Sequence, residues 1–302
     1  MSIPPPSPVL AEKVARGERA AQAGVVANLS LALVKFITGV VGHSYALIAD
    51  AIESAADVFS SLIVWGGLRI SVREADESYP FGYGKAEPLA AMAVAFMLFG
   101  AAAGIAIQAV REIVTPHHAP APFTLAVLLA VVLVKELLFR RVFRVGQAVS
   151  STAVRADAWH HRSDALTSLA AAIGISIALA GGPGWEPADD WAALAASAVI
   201  AWNGLRTFRD AARDLMDRAP HGGIIERVSA AATAVEGVRD IHKLKVRRAG
   251  LGIYVDLDVQ ADPAMSLLDA HILSGKVKSA IRQALPETLG VLVHMEPDER
   301  GR

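Results

Sequence analysis

The stretch that decides the fold is residues 43–57, which read HSYALIADAIESAAD. It opens an apolar segment of helical length, 45–70, that nevertheless carries Asp50, Glu53 and Asp57. Offsets of three and seven residues place these acids on one face of a helix. An ionised carboxylate at mid-bilayer costs about 2.5–3.5 kcal/mol on translocon scales. Acids in such a segment need a compensating partner, so the pattern predicts a membrane helix on a cation pathway.

The composition of the whole chain is that of a membrane protein. Its 302 residues are 53% hydrophobic, and the mean hydropathy is +0.40 although the last third is ordinarily polar. A formal net charge of −1 argues against a nucleic-acid partner. The absence of cysteine leaves His, Asp and Glu as the strong metal ligands.

Six apolar stretches predict six transmembrane helices, because about 20 residues cross a hydrocarbon core of about 30 Å. Lys and Arg cluster before the first stretch and in alternate connections, whereas 42–44, 115–122 and 181–190 have none. This bias places both termini in the cytoplasm. We expect a cytoplasmic segment 1–19, a polytopic transport domain 20–208 and a cytoplasmic domain 209–302. The stretches are 20–41, 45–70, 88–110, 123–138, 153–180 and 191–208.

The C-terminal part has the pattern of a small α+β domain. Periodicity predicts helices over 224–235 and 267–285 and strands over 240–248, 253–260 and 290–296. The expected order is therefore αββαβ, with helices covering one face of a short sheet.

The fifth stretch repeats the acidic pattern of the second. Asp157, His160 and Asp164 again have offsets of three and seven. The pairs Glu53 with Asp57 and His160 with Asp164 are each one helical turn apart, so two facing helices would supply four ligands. One imidazole and three carboxylates suit Zn²⁺ and would also admit Fe²⁺, Co²⁺, Cd²⁺ or Mn²⁺. The alternative is that the acids are protonated, or face water and pair with Lys35 or Lys135.

Three segments together resemble the cation diffusion facilitator family: 43–57, the loop 81–87 (FGYGKAE) and 156–164 (ADAWHHRSD). The resemblance implies a homodimeric exporter in a bacterial-type cytoplasmic membrane that exchanges a divalent metal for protons by alternating access. It implies six spans and a ferredoxin-like cytoplasmic metal-sensing domain, and no organic cofactor. The transport site carried over by motif is Glu53, Asp57, His160 and Asp164. Glu53 stands where His or Asp is more usual, which leaves the metal's identity open.

The resemblance also implies roles for residues outside that site. A cytoplasmic metal cluster would use residues on the strands and the last helix. Lys85 and Asp217 stand where the family has opposite charges near the dimer junction, so they could pair within or between protomers. We expect Lys85→Ala to loosen the dimer and a charge swap to restore it partly. The residues of the expected cytoplasmic metal cluster are His242, Asp256, His271, His294 and Glu296, with Asp256 in place of a more usual His.

Asp50 and Asp157 lie one turn from the transport site and are predicted relays for exit and entry. In the loop after the second span, some relatives have a second metal site with His. Tyr79 and Tyr83 stand at those positions here, so we expect Asp76 to have no such role.

Two other classes of function use similar residues. An intramembrane metalloenzyme would need an activating motif such as HExxH, which the sequence lacks. A passive channel would need a continuous pore rather than a four-ligand cage. Proton flux coupled to metal transport separates an antiporter from both.

Overall fold

The computed structural model describes residues 8–41, 45–114, 124–181, 188–220 and 222–298. These residues form two compact units. One comprises most of six long helices. The other contains residues 70–86 and everything from Arg213 onwards, together with the start of the first helix. Each unit is described by itself.

The six long helices contain the six apolar stretches, except that residue 123 lies outside the described part of the chain. They are 26–34 residues long, which at 1.5 Å per residue is about 39–51 Å and exceeds the hydrocarbon thickness. Their bounds are α1 Pro8–Val41, α2 Tyr45–Ser71, α3 Ala86–Val114, α4 Thr124–Val149, α5 Thr152–Gly181 and α6 Ala188–Leu215.

Among the described residues, one helix meets both the length and the hydropathy expected of a membrane-spanning helix. Within α3, the stretch Ala86–Arg111 is long and apolar enough to cross a membrane, with a mean hydropathy of 2.2. Helices α2, α4 and α5 carry ionisable side chains in their middle turns, including Asp57, Lys135 and His160, which lower their hydropathy. Six spans therefore remain a prediction that the helix lengths permit.

Several helices continue past the apolar stretches into polar sequence. α1 already begins at Pro8, so residues 8–19 of the predicted N-terminal segment are helical. Ala, Glu, Lys and Arg dominate this part and are strong helix formers. α4 also continues to Val149 and α6 to Leu215, through segments that contain Arg side chains. In this part of the chain the division between the two units falls at Arg213, and the predicted domain bounds stay a prediction.

The start of α5 is held by a buried carboxylate of α3. Glu87 accepts hydrogen bonds from Oγ of Ser151 at 2.6 Å and from the backbone N–H of Ala153 at 2.7 Å. A helix leaves its first N–H groups without intrahelical partners, and a carboxylate there also interacts favourably with the helix dipole. Glu87 thus helps to set the position of α5, which carries His160 and Asp164.

The C-terminal domain has the predicted order of elements. It consists of α7 Ile224–Thr233, β1 Asp240–Ala249, β2 Gly252–Ala261, α8 Leu267–Ala284 and β3 Thr288–Pro297. The sheet order is β1-β2-β3. β1 and β2 are antiparallel and joined by a tight turn, whereas β2 and β3 are parallel and need α8 as a crossover.

Both helices of this domain cover the same face of the sheet. Val255, Leu257 and Val259 of β2 are buried in one cluster with Val277 and Ile281 of α8, and α7 contributes to the same core. Because side chains alternate along a strand, Asp256 and Asp258 lie on the opposite face.

The loop between α2 and α3 packs on the β1–β2 turn within this unit. Oη of Tyr254 donates to the carbonyl oxygen of Phe81 at 2.9 Å, and the Arg247 guanidinium lies 5.3 Å and 5.0 Å from the ring centroids of Phe81 and Tyr254. A Cβ on Gly84 would lie 2.8 Å from the carbonyl of Ala249. Glycine is therefore required for this close approach.

Candidate metal site

Three predicted ligands from α2 and α5 lie together in the helical unit. The candidate ligand atoms of Asp57, His160 and Asp164 are all within 4.8 Å of one another. Nε2 of His160 is 3.1 Å from Oδ1 of Asp57, and both residues are buried. In the part of the chain that the structure describes, this is the one group of three such residues at that spacing.

Helical periodicity accounts for this arrangement. His160 and Asp164 are one turn apart on α5 and project from the same side, and Asp57 approaches from α2. Glu53 is one turn before Asp57 on α2, but its side chain lies outside the described residues, as does that of Asp50. Glu53 as fourth ligand and Asp50 as exit relay stay predictions.

Lys135 of α4 reaches into the same cluster. Its Nζ atom lies 2.8 Å from Oδ2 of Asp57 and 2.8 Å from Oδ2 of Asp164, and the lysine side chain is 1% exposed. Oδ1 of Asn28, from α1, accepts a third hydrogen bond at 2.9 Å. Pairing with Lys135 was the alternative that the sequence left open. Asn28 was missed, although an amide within an apolar helix is itself a signal of a buried polar contact.

Asp157 belongs to a neighbouring buried cluster. It is one turn before His160, and its Oδ1 accepts hydrogen bonds from Oγ of Ser61 at 2.9 Å and of Ser60 at 3.2 Å. Nε2 of His161 lies 3.6 Å from its Oδ2. Asp157 and His161 are fully buried. The structure therefore places Asp157 beside the three candidate ligands and not among them.

The donor set suits a borderline divalent cation. An imidazole nitrogen and carboxylate oxygens bind Zn²⁺, Mn²⁺, Fe²⁺ and Co²⁺, and the chain has no thiolate that would favour softer ions. Two carboxylates and one imidazole in a largely buried position favour a cation, and the Lys135 ammonium takes that place in this structure.

The register of the C-terminal sheet does not place Asp256 beside the histidines of the predicted cytoplasmic metal cluster. In register, Asp258 is the partner of both His242 on β1 and His294 on β3. Asp256 is instead the partner of Lys245 and Leu292. Asp258, and not Asp256, is therefore the carboxylate between the two histidines, and Asp256 as a metal ligand stays a prediction.

A lysine lies between the acids of that row. Lys243 has a positive φ of 47° at an irregularity in β1, and its Nζ lies 2.7 Å from Oδ2 of Asp258 and 3.2 Å from Oε1 of Glu296. The hydrogen bond from Lys243 lowers the pKa of Asp258, and the two carboxylates raise the pKa of Lys243. Nε2 of His294 is 3.9 Å from Glu296.

His271 lies apart from this row. It is exposed on α8, and α8 covers the opposite face of the sheet. The five predicted residues are therefore not gathered into one ligand group within the described chain.

Asp76 organises the loop between α2 and α3. Its carboxylate accepts hydrogen bonds from the backbone N–H of Ser78 at 2.9 Å and of Tyr79 at 2.8 Å, and from Oη of Tyr83 at 2.6 Å. The Tyr83 bond is the largest cause of the lowered pKa of Asp76, and the same bond raises the pKa of Tyr83. Further along this loop, Lys85 forms an ion pair with Asp217 of the same chain.

Comparison with known protein families settles the class of this protein. The family model described as the cation efflux transmembrane domain matches residues 21–216, and the cation efflux protein cytoplasmic domain matches residues 220–298. The chain therefore belongs to the cation diffusion facilitator family, as the sequence motifs predicted. It is a divalent-cation efflux transporter of the membrane, and not an enzyme.

Individual relatives come from plants and bacteria. Metal tolerance protein C1 of Arabidopsis thaliana is 32% identical over 93% of this chain, which spans 62% of the length of that relative. Magnetosome protein MamB of Magnetospira sp. is 30% identical over 89% of this chain and 92% of MamB. Manganese efflux system protein MneP of Bacillus subtilis is 30% identical over 95% of this chain and 97% of MneP.

A solved structure of a MamM CTD variant matches a smaller part of the protein. The match covers 26% of this chain and 96% of the MamM CTD chain, at 27% identity and a TM-score of 0.25.

Proposed function

We propose that this protein exports a divalent metal ion from the cytoplasm in exchange for protons, with Glu53, Asp57, His160 and Asp164 as the transport site. The observation that carries the proposal is the group of Asp57, His160 and Asp164, of which the first two are buried and the third is partly buried, and whose ligand atoms lie within 4.8 Å of one another. A buried cluster of N and O donors in a cation efflux domain is suited to holding the cargo during transport.

Proton exchange follows from charge. A metal ion that leaves the site takes two positive charges with it, and other cations must replace them beside the carboxylates of Asp57 and Asp164. Protons are available on both sides of the membrane, and a histidine ligand must lose its proton before it binds metal. Metal and protons therefore compete for the same side chains, and rocking helices would expose the site to one side at a time.

Zn²⁺ is our first candidate for the cargo, because one imidazole and three carboxylates match its tetrahedral preference. Mn²⁺ is the second, since the relative MneP is named for manganese efflux and carboxylates also suit this ion. Fe²⁺, Co²⁺ and Cd²⁺ share enough of this chemistry to be included in any test.

We further propose that the protein works as a homodimer with both termini in the cytoplasm, and that the C-terminal domain senses metal there. The sensing ligands would come from the row of His242, Asp258 and His294 with Glu296, and Asp258 replaces Asp256 in this proposal. Metal would have to displace Lys243, which bridges Asp258 and Glu296.

The test is transport in proteoliposomes that contain the full-length protein and a pH-sensitive dye. The cargo is varied over Zn²⁺, Mn²⁺, Fe²⁺, Co²⁺ and Cd²⁺, and proton movement is recorded with metal movement. An antiporter moves protons against the metal, whereas metal flux with no proton flux would indicate a passive channel. Asp57→Ala should abolish transport in protein that is still folded and dimeric.

A matched control is Glu136→Gln on α4. Glu136 pairs with Arg140 at 2.7 Å outside the metal cluster, so this loss of a carboxylate should leave transport unchanged. Wild-type rates for Asp57→Ala, with the control also unchanged, would contradict the proposed site.

A further inference from the structure

The Lys135 ammonium lies where it neutralises two of the proposed cargo ligands. It is 2.8 Å from Oδ2 of Asp57 and 2.8 Å from Oδ2 of Asp164. The lysine is almost completely buried, and charge-assisted hydrogen bonds of this length are strong ones. In this state, the two carboxylates already have a cation.

The ammonium and a metal ion cannot share these oxygens. A bound Zn²⁺ lies about 2.0–2.2 Å from a carboxylate oxygen, and both cations carry positive charge. At such short range in a buried site their repulsion is large, because the surroundings screen it poorly. Cargo binding therefore requires the ammonium to leave Asp57 and Asp164.

Asn28 provides a place for the displaced ammonium. Its Oδ1 atom accepts a hydrogen bond from Lys135 at 2.9 Å, and an amide is not one of the proposed cargo ligands. Lysine has a flexible stem of four carbons, so its ammonium can shift while it keeps one partner.

We propose that Lys135 is a tethered cation that occupies the empty transport site and competes with the cargo for Asp57 and Asp164. This inference rests on the proposed transport site. A monovalent ion offers no more charge than the ammonium that it must displace, whereas a divalent ion does. Lys135 therefore makes the site selective for divalent cations by charge.

The experiment is metal binding by isothermal titration calorimetry on the full-length protein in detergent, at one fixed pH, with Zn²⁺ and Mn²⁺ as probes. Lys135→Met removes the competing charge but keeps most of the side-chain length. We expect it to raise metal affinity about tenfold or more. Lys135→Arg keeps the charge and should give no such gain. Arg140→Met removes a positive charge from the same helix, but at a side chain that is 68% exposed, and should leave affinity unchanged.

A gain in metal affinity in Lys135→Met would distinguish competition by the lysine from a purely structural role, because damage to the fold would weaken metal binding. Sodium at high concentration should compete with Zn²⁺ in Lys135→Met but not in the wild type. Unchanged or weaker binding by folded Lys135→Met would overturn the proposal.

Asn28→Ala tests the same idea without removing the lysine. The displaced ammonium then lacks its remaining acceptor, so metal affinity should fall, and unchanged affinity would overturn the proposal even where Lys135→Met does not fold. Asp57→Ala separates this inference from the proposed function. Wild-type affinity and stoichiometry in Asp57→Ala would contradict the site itself, whereas loss of one binding site per chain there with no gain in Lys135→Met would contradict only the role of the lysine.

Discussion

Lys85 and Asp217 form an ion pair within one chain, with Nζ of the lysine 3.2 Å from Oδ1 of the aspartate. Nη1 of Arg247 reaches the same Oδ1 atom at 3.3 Å, and Nζ of Lys85 also donates to the carbonyl oxygen of Leu215 at 3.0 Å. Asp217 therefore has two basic partners. The sequence alone suggested that Lys85 and Asp217 pair only with each other, so that exchanging their charges would restore the contact. The contact from Arg247 removes that expectation.

Lys85→Ala should have a small effect and Asp217→Asn a larger one. The side chains of Lys85 and Asp217 are 47% and 40% exposed, and such pairs contribute about 0–1 kcal/mol. Asp217→Asn weakens the contacts to both Lys85 and Arg247, while asparagine still tolerates the positive φ of 57° at this position. The measurement is thermal unfolding of the purified full-length protein.

The double exchange of Lys85→Asp with Asp217→Lys should not restore stability, because a lysine at position 217 would face Arg247. We also expect Lys85→Ala to leave dimer dissociation unchanged, since the pair lies within the protomer. Restoration by the exchange, or a looser dimer in Lys85→Ala, would support a contact between protomers instead.

Asp157→Asn should slow loading of the transport site from the cytoplasmic side without removing the site. The substitution takes away a buried negative charge one turn from His160, while an amide oxygen can still accept the hydrogen bonds from Ser60 and Ser61. Time-resolved metal uptake in proteoliposomes measures the loading rate, and equilibrium titration measures affinity. Asp50→Asn should slow release instead.

Ser61→Ala is the control for Asp157→Asn, because it removes one neutral hydrogen-bond donor to Asp157 and leaves the charge of the carboxylate. Its loading rate should stay close to that of the wild type. Loss of equilibrium binding in Asp157→Asn, as severe as in Asp57→Ala, would make Asp157 a ligand and refute its role as a relay.

Asp258→Ala should reduce metal binding by the C-terminal domain, whereas Asp256→Ala should not. Asp258 is in register with His242 and His294, and Asp256 is not. Elemental analysis after gel filtration, in full-length protein that also carries Asp57→Ala, counts the metal bound outside the transport site. Lys243→Met should increase this amount, because it frees the carboxylates of Asp258 and Glu296. Equal losses from the two aspartate variants would contradict the register argument.

The loop between α2 and α3 should lose order in acid. The pKa of Asp76 is lowered, chiefly by the hydrogen bond from Tyr83. A group whose pKa is lowered on folding stabilises the folded state above its unfolded pKa of about 4, and this contribution disappears as the pH falls through the folded pKa. The pKa of Tyr83 is raised instead. Tyr83 therefore stabilises the folded state below its unfolded pKa of about 10, and this contribution disappears only as the pH rises above that value.

Tyr83→Phe removes the bond to Asp76, so the loop should lose order at a higher pH than in the wild type. Pulsed hydrogen–deuterium exchange of the peptide covering 72–85, from about pH 6 to about pH 3, measures this. Tyr79→Phe is the matched control, because the contact from residue 79 to Asp76 is made by its backbone N–H. Identical exchange profiles for the two variants would show that the Tyr83 bond does not order the loop.

The sequence by itself was sufficient for the features that depend on local periodicity. The three strands lie within two residues of their predicted bounds, since alternation along a strand is visible in the chain. The pairing of His160 with Asp164 also follows from one helical turn, and the motif around Asp57 identified the family. The apolar stretches do not mark the ends of α1, α4 and α6, because polar residues continue each helix beyond them.

Only the tertiary structure decided which distant side chains meet. Asp256 and Asp258 have the same parity and lie on the same face of β2, so sequence patterns cannot choose between them. The register of three strands, with its irregularity at Lys243, makes Asp258 the neighbour of the histidines. Likewise, Asn28 and Lys135 reach the group of Asp57, His160 and Asp164 from α1 and α4. Their contacts depend on how four helices pack, and packing brings together residues that no local period relates.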